Sequence, residues 1–478
     1  MKLSSVLLAS FVLIFLMIGC ITFKSEPIEP AQTYEVISNR TLSDPGLKGF
    51  IENGLKRRFA QWPPEKWDFN MLTLAAIYFK PEMRIVKAEF DISKAKRVSA
   101  GQIPNPTISL VPEFVSNPGT LSPWAPAVGI GSQIETAGKR YHRVSVARAE
   151  EESAFYELLR EAWSLRSYLR LSLLDYYIAQ QRLDVLRKEL KVKGEILNLS
   201  KQKYQLGEIS LSEFNMVQTT LLSTGLSYEE AKSRLVEAKR RIASALGITE
   251  AQLESDLFTP EPKIAFNFLY EIPDTSEIPN RKAVREALLR RPDVLSALYL
   301  YDAAESNLRL EVSKQYPDIT VGPGYKWDEG LNKWNIGISL SLPIFNMNAG
   351  PIAEAEARRE RAEATFMKLQ TDAIVETESA LSQYRISYSN YFRSDSLLRT
   401  VNALLISIEK MVTEGEMSKL DEYNYRVLKL DTELQLISAI EKAQQSLSGL
   451  EDAIMAPLEK WEINPIFYEN GIHEEMAK

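Results

Sequence analysis

The chain has 478 residues, 45% apolar and 25% charged, with a net charge of −7. That balance is too polar for a bundle of membrane helices, and the acidic excess argues against a nucleic-acid partner. Only two histidines, His142 and His473, and one cysteine, Cys20, are present. Metal and triad chemistry therefore have little to draw on, and no internal disulfide can form.

Residues 1–19 read as a signal peptide. Lys2 supplies a short basic start, and Val6 to Ile18 is an apolar run too short for a comfortable transmembrane helix. The run ends Leu16-Met17-Ile18-Gly19-Cys20, which fits a bacterial lipobox, so Cys20 is the expected lipidation site. An ordinary secretory signal with an incidental cysteine is the simpler alternative. No later apolar stretch reaches the ~18–20 residues of a spanning helix, so a membrane crossing would have to be made of strands. Residues 20–69 are rich in proline and weakly periodic, and are expected to be an extended N-terminal segment.

From residue 70 onward the chain repeats itself. Lys80-Pro81-Glu82 and Pro106-Thr107-Ile108 return 211 residues later as Arg291-Pro292-Asp293 and Pro317-Asp318-Ile319. Gly129-Ile130 and Gly207-Glu208-Ile209-Ser210 return 208 residues later as Gly337-Ile338 and Gly415-Glu416-Met417-Ser418. Collinear offsets of this kind mark a duplicated unit. Each unit reads helix, strand pair, long helix, turn, shorter helix.

The helical stretches are 70–103, 137–250, 281–316 and 350–455. Pro81 interrupts the first. Between Lys139 and Lys203 there is no proline, which predicts a helix of roughly 100 Å at ~1.5 Å per residue. Leu183, Leu186 and Leu190, and later Val427, Leu430, Leu434 and Ile437, recur at helical spacing. A plain coiled coil would share these features. The strand pairs, 104–136 and 317–349, alternate. Trp334, Ile336, Ile338, Leu340 and Leu342 face one way, with Asn335, Gly337, Ser339 and Ser341 between them. An apolar face backed by a small polar one suits a lipid-facing barrel with a wet lumen, and also a half-buried sheet. Pro112 and Pro323 should disturb the ladder, since proline lacks a donor. Trp124, Trp327 and Trp334 flank the connecting loops, where an aromatic girdle would lie. Residues 251–280 and 456–478 read as short connections.

Four membrane-length strands cannot close, and an open edge in lipid leaves backbone groups unpaired at several kcal/mol each. Several copies must then share one barrel. Two would give eight strands and little bore, whereas three give twelve and a duct. The expected fold is mixed: long antiparallel α-helices forming a trimeric α-barrel, with four β-strands per chain contributing to a shared 12-stranded transmembrane β-barrel.

Several runs carry a family resemblance: Pro104-Asn105-Pro106, Ile134-Glu135-Thr136-Ala137-Gly138-Lys139-Arg140, Tyr204-Gln205-Leu206-Gly207-Glu208-Ile209-Ser210 and Ser341-Leu342-Pro343-Ile344-Phe345-Asn346. Over about residues 70–455 the chain resembles the outer-membrane efflux protein family of the TolC type. Leu342 to Gly350, followed by Ile352-Ala353-Glu354-Ala355-Glu356-Ala357, looks most like its heavy-metal efflux branch. The resemblance implies a homotrimeric, passive, gated duct for drugs, metal ions or other cargo, in the outer membrane and periplasm. Its partners would be a periplasmic adaptor (membrane fusion) protein, an inner-membrane pump and outer-membrane lipid. A lipid-anchored coiled-coil tether without a pore is the alternative. No enzyme activity, metal site or cofactor is expected beyond the lipid on Cys20.

Gly207 and Gly415 suit left-handed turns, and Ser210 and Ser418 can cap the helices that follow. With Tyr204, these turn residues are the expected adaptor contacts, although position 412 holds Val where the first turn has Tyr204. Six residues beyond each glycine lies a carboxylate, Glu213 and Asp421. Six such charges in a trimer would favour cations at the mouth. The family's next aperture position holds Asn424, so the ring departs from the usual pattern, and a solvated helix-start charge is the plainer reading of Asp421. Lys139, Arg140, His142 and Arg143 form a basic run that could face lipid phosphates or simply be solvated.

Overall fold

The protein is described here from a computed structural model covering residues 23–458, with 115, 117–122, 277, 279, 280 and 329 left out. The signal, Cys20, His473 and the end of the 456–478 connection lie outside the described residues. In chain order the elements are α1 (Pro30–Ser38), α2 (Pro45–Leu55), α3 (Phe69–Phe79), α4 (Pro81–Ala100), β1 (Thr107–Phe114), β2 (Trp124–Ile134), α5 (Lys139–Gln205) and α6 (Leu211–Leu246). After three short helical elements between 250 and 269 come α7 (Arg281–Leu288), α8 (Pro292–Ser313), β3 (Ile319–Asp328), β4 (Leu331–Leu340), α9 (Ala349–Thr413) and α10 (Lys419–Ile454).

The duplication is visible in three dimensions: α4-β1-β2-α5-α6 recurs as α8-β3-β4-α9-α10. Positions 208 apart are buried alike, as in Ala147 and Ala355, Tyr176 and Tyr384, Thr224 and Thr432, and Ala231 and Ala439. α5 and α9 have 67 and 65 residues, or about 100 Å each. Each is paired with its return helix, α6 or α10, and with a shorter helix, α4 or α8, on the side of the strands.

Two expected helices are each split in two. The 70–103 stretch breaks at Lys80 and the 281–316 stretch at residues 289–291, because the residue before a proline is pushed out of helical geometry. Lys80 (φ −70, ψ 125) and Arg291 (φ −57, ψ 130) are extended, and Pro81 and Pro292 each open a new helix.

The 20–69 segment is not wholly extended, because it contains α1 and α2. Two of its prolines, Pro30 and Pro45, open helices. Pro45 sits in the first turn of α2, and the Asp44 carboxylate accepts from the amides of Gly46 at 2.6 Å and Leu47 at 3.1 Å. α2 buries Leu47 and Ile51 in a core at the waist of the long helix, with Trp67, Leu72, Leu169, Leu173, Ile242 and Leu257. The 251–280 stretch closes this core through a short parallel bridge between Trp67 and Ile264.

The four strands form one antiparallel sheet in the order β1-β2-β3-β4, so the β2–β3 pair joins the two repeats and β1 and β4 are the edges. None of the described helices is long and apolar enough to span a membrane.

Candidate functional site

The register of the sheet gathers its apolar side chains on one face. Ile108 lies opposite Ile130, Leu110 opposite Val128 and Phe114 opposite Trp124. Ile134 faces Ile319, Val321 faces Ile338 and Tyr325 faces Trp334. This face is exposed: Trp334 retains 77% and Ile336 76% of its surface. Both edge strands put most of their apolar residues at even positions, Val111 and Leu331 excepted. Near the hairpin ends the rings pair, Phe114 with Trp124 and Tyr325 with Trp334, each at 5.0 Å between centroids. The opposite face is small and polar. Its charges are matched, Lys326 with Glu113 at 2.6 Å and Lys333 with Asp328 at 2.8 Å.

Neither proline ends its strand. Pro112 pairs across β1–β2 with Pro126. The β2–β3 ladder keeps its register but makes no bridge at Gly322 and Pro323. There the backbones approach so closely that a Cβ on Gly322 would overlap the Ile130 carbonyl oxygen, which only glycine avoids.

Where strands become helices, Lys139 and Arg143 of the basic run are engaged within the chain, while Arg140 is exposed. Lys139 is buried and donates from Nζ to Asp318 Oδ1 and to the Tyr316 carbonyl, both at 2.6 Å. Asp318 also accepts from the Thr136 amide and Gln133 Nε2. These donors outweigh burial and hold its carboxyl below the usual range. Arg143 binds Glu135 at 2.6 Å and donates Nε to the Ala100 carbonyl, while Arg140 lies 3.8 Å from Glu135. His142 stacks edge-on against Tyr141. The same corner of the second repeat is tied by Asn348 Nδ2, which donates to the Glu311 carbonyl at 2.8 Å.

At the far end of the helices, the turns have the geometry read from the sequence. Gly207 (φ +75) and Gly415 (φ +79) are left-handed. Ser210 and Ser418 are N-caps in reciprocal capping boxes whose third residues are Glu213 and Asp421. The two carboxylates are therefore hydrogen-bonded locally. Glu213 accepts from the Ser210 amide at 2.7 Å, and Asp421 from the Ser418 hydroxyl at 2.6 Å. The backbone amide and hydroxyl of Ser210 lower the Glu213 pKa; the Ser418 hydroxyl, then its amide, and the nearby charge of Lys203 lower that of Asp421.

The turns differ in a way that position 412 only hinted at. Tyr204 stacks on Phe214 at 5.4 Å. The residues 208 later are Val412 and Glu422, and Glu422 is buried between two cations, Lys419 at 2.5 Å and Arg426 at 2.6 Å. Arg426 also reaches Glu409, which ties α9 to α10. An aromatic clasp at one turn is thus an ionic clasp at the other. The spacing of Lys419, Glu422 and Arg426, at three and four, was the available signal.

Two hairpins of ~100 Å helices, capped by a small sheet with one bare apolar face and two open edges, are the plan of a protomer that completes its barrel with other chains. The outer membrane efflux protein family matches residues 76–248 and 283–454, and the chain belongs to that family. It is 23% identical over 284 residues to the cobalt-zinc-cadmium resistance protein CzcC of Cupriavidus metallidurans, covering 58% of this chain and 63% of that one, slightly under two thirds of its length. It is 21% identical over 430 residues to the probable outer membrane lipoprotein SilC of Salmonella typhimurium, covering 84% and 87%. In fold it is similar to the outer membrane protein VceC of Vibrio cholerae, with a TM-score of 0.65 and 17% identity over 82% of this chain and 97% of that one.

Proposed function

We propose that the protein is the outer-membrane channel subunit of a tripartite efflux system, a passive duct built from three copies. The observation that carries this reading is the sheet. Its exposed apolar face needs lipid, and the unpaired edges β1 and β4 need partners that a single chain does not supply. A tether without a pore has no use for either. Three copies give twelve strands, and the long helices continue the wall into the periplasm for about 100 Å.

In this reading the duct does no chemistry, and energy comes from an inner-membrane pump through a periplasmic adaptor. Tyr204, Gly207, Ser210, Gly415 and Ser418 are the adaptor contacts, and Asp421 with Glu213 lines the mouth. A lipid on Cys20 adds a second hold on the membrane, as the lipoprotein description of one relative suggests. A metal-cation cargo agrees with the acidic mouth and with the name of the other relative.

The test is conductance in planar bilayers. Purified protein should give discrete steps with cations favoured over anions. A trimer that inserts yet carries no current would overturn the duct.

A further inference from the structure

The two corners where strand becomes helix are counterparts of unequal length. The offset between repeats is 208 at Ile134 and Leu342, but 210 at the first helical residues, Lys139 and Ala349. Each corner closes on two successive left-handed residues, Ala137-Gly138 in the first and Met347-Asn348 in the second. The added length therefore lies between Leu342 and Met347. The first corner is polar and tied down: Glu135 is held by Arg143, and the Thr136 amide donates to Asp318. The second reads Leu342-Pro343-Ile344-Phe345-Asn346-Met347. Leu342, Ile344, Phe345 and Met347 are all exposed, Phe345 at 96%. An apolar loop of this kind calls for a cover.

Its height in the fold says which cover. From Leu331 to Leu340 the strand advances about 30 Å at ~3.3 Å per residue, or about 23 Å along the barrel axis at the ~40° tilt of such strands. That nearly fills the ~25 Å apolar band of a barrel, so the corner lies at the rim of the band on the helical side. Tyr316, just before β3, and Tyr141, in the first turn of α5, are exposed near the same level. Amphipathic rings of this type settle where lipid meets water. We propose that the second corner alone is a lipid-binding loop, with Ile344 and Phe345 entering the leaflet on the helical side while the first corner stays in water. The inference rests on the lipid-facing reading of the sheet, whose apolar face the loop continues. In a barrel of three copies the corners alternate, so the hold on this leaflet is discontinuous, one loop per copy at every other corner.

An environment-sensitive fluorophore on a single thiol tests this, because Cys20 is the only native cysteine and can be replaced by Ser. In that background Phe345→Cys, Ala137→Cys and Ile336→Cys are labelled separately and reconstituted as full-length protein into phosphatidylcholine vesicles. The label at 345 should lose most of its fluorescence to lipid carrying a nitroxide near the headgroup and little to iodide in the water. The label at 137 should do the reverse. Ile336, on the apolar face of β4, reports on the sheet itself and should be quenched by nitroxide lipid. If 336 is quenched by lipid but 345 responds to iodide as strongly as 137, the loop is in water and the proposal is wrong. If 345 responds to neither quencher, protein covers the loop, and the proposal is equally wrong. If 336 is not quenched by lipid, the lipid-facing reading of the sheet fails, and the loop proposal with it.

Discussion

Arg291 donates from Nη1 to the carbonyl oxygen of Ala453 at 2.6 Å, so a guanidinium sits on the last turn of α10 at the point where α8 begins. The first repeat has the same joint. Arg40 donates to the Gly247 carbonyl at 2.9 Å, and the aliphatic stem of Lys80 packs beside Gly247. Each cation lies at the negative end of a returning helix, and Glu82 or Asp293 lies in the first turn of the helix that follows, so both dipoles are complemented. The repeated Lys/Arg-Pro-Asp/Glu triplet is therefore a splice between stacked helices.

Replacing Arg291 by Met should lower stability by about 3 kcal/mol, because Asp293 and Glu376 lose a buried partner. Arg399→Met, which removes an exposed pair with Asp395, should cost no more than ~0.5 kcal/mol. Urea unfolding of both variants under one detergent condition decides it. Equal midpoints would mean that the splice contributes nothing.

Asp421→Asn keeps a cap acceptor for Ser418 and removes the charge. Cation preference in planar bilayers should fall, with Glu213→Asn acting in the same direction but less. Glu271→Gln, exposed and remote from the turns, is the control. If Asp421→Asn and the control leave the reversal potential equally unmoved, Asp421 is a helix-start residue and nothing more.

Both capping-box carboxyls are held below their ordinary range by the amide and hydroxyl of the cap serine. A depressed folded pKa contributes stability above the unfolded value, near pH 4, and loses it as pH falls through the folded value. The turns should be firm at neutral pH and loosen below about pH 4. Hydrogen exchange of peptides spanning 208–216 and 416–424, corrected for intrinsic rates, is the measurement. Unchanged protection between pH 6 and pH 3 would rule the boxes out as pH-dependent elements.

Cys20→Ser should abolish incorporation of labelled palmitate while leaving the protein in the outer membrane, since the sheet also inserts. Label retained by the variant would show that the lipobox reading is wrong.

Much of this was legible from spacing. The β4 alternation survives because no residue from Trp334 to Leu340 breaks period 2, and Gly207 and Gly415 mark turns because left-handed geometry selects glycine. The proline content of 20–69 hid α1 and α2, because a proline within the first helical turn, such as Pro45, looks in sequence like one that ends a helix. The repeated triplet could be seen but not interpreted, since the carbonyl that Arg291 holds lies 162 residues away. The exchange of an aromatic clasp for an ionic one was half visible at Val412. Its other half, Glu422, shows in sequence only as the spacing of Lys419, Glu422 and Arg426, and its burial appears only in the structure.

Gly129, Gly131, Gly324 and Gly337, with Gly322, leave a patch without side chains in the middle of the polar face of the sheet. On that wall the calibre is set by peptide groups, whose spacing mutation cannot tune. Any side chain added there, at Gly337 for instance, where a Cβ meets no atom closer than 3.7 Å, would be repeated once per copy at the same height. One codon change is then a threefold constriction. At the glycine patch the bore can be narrowed abruptly by a single mutation but widened by none, so selection on cargo size at that height has only one direction in which to move.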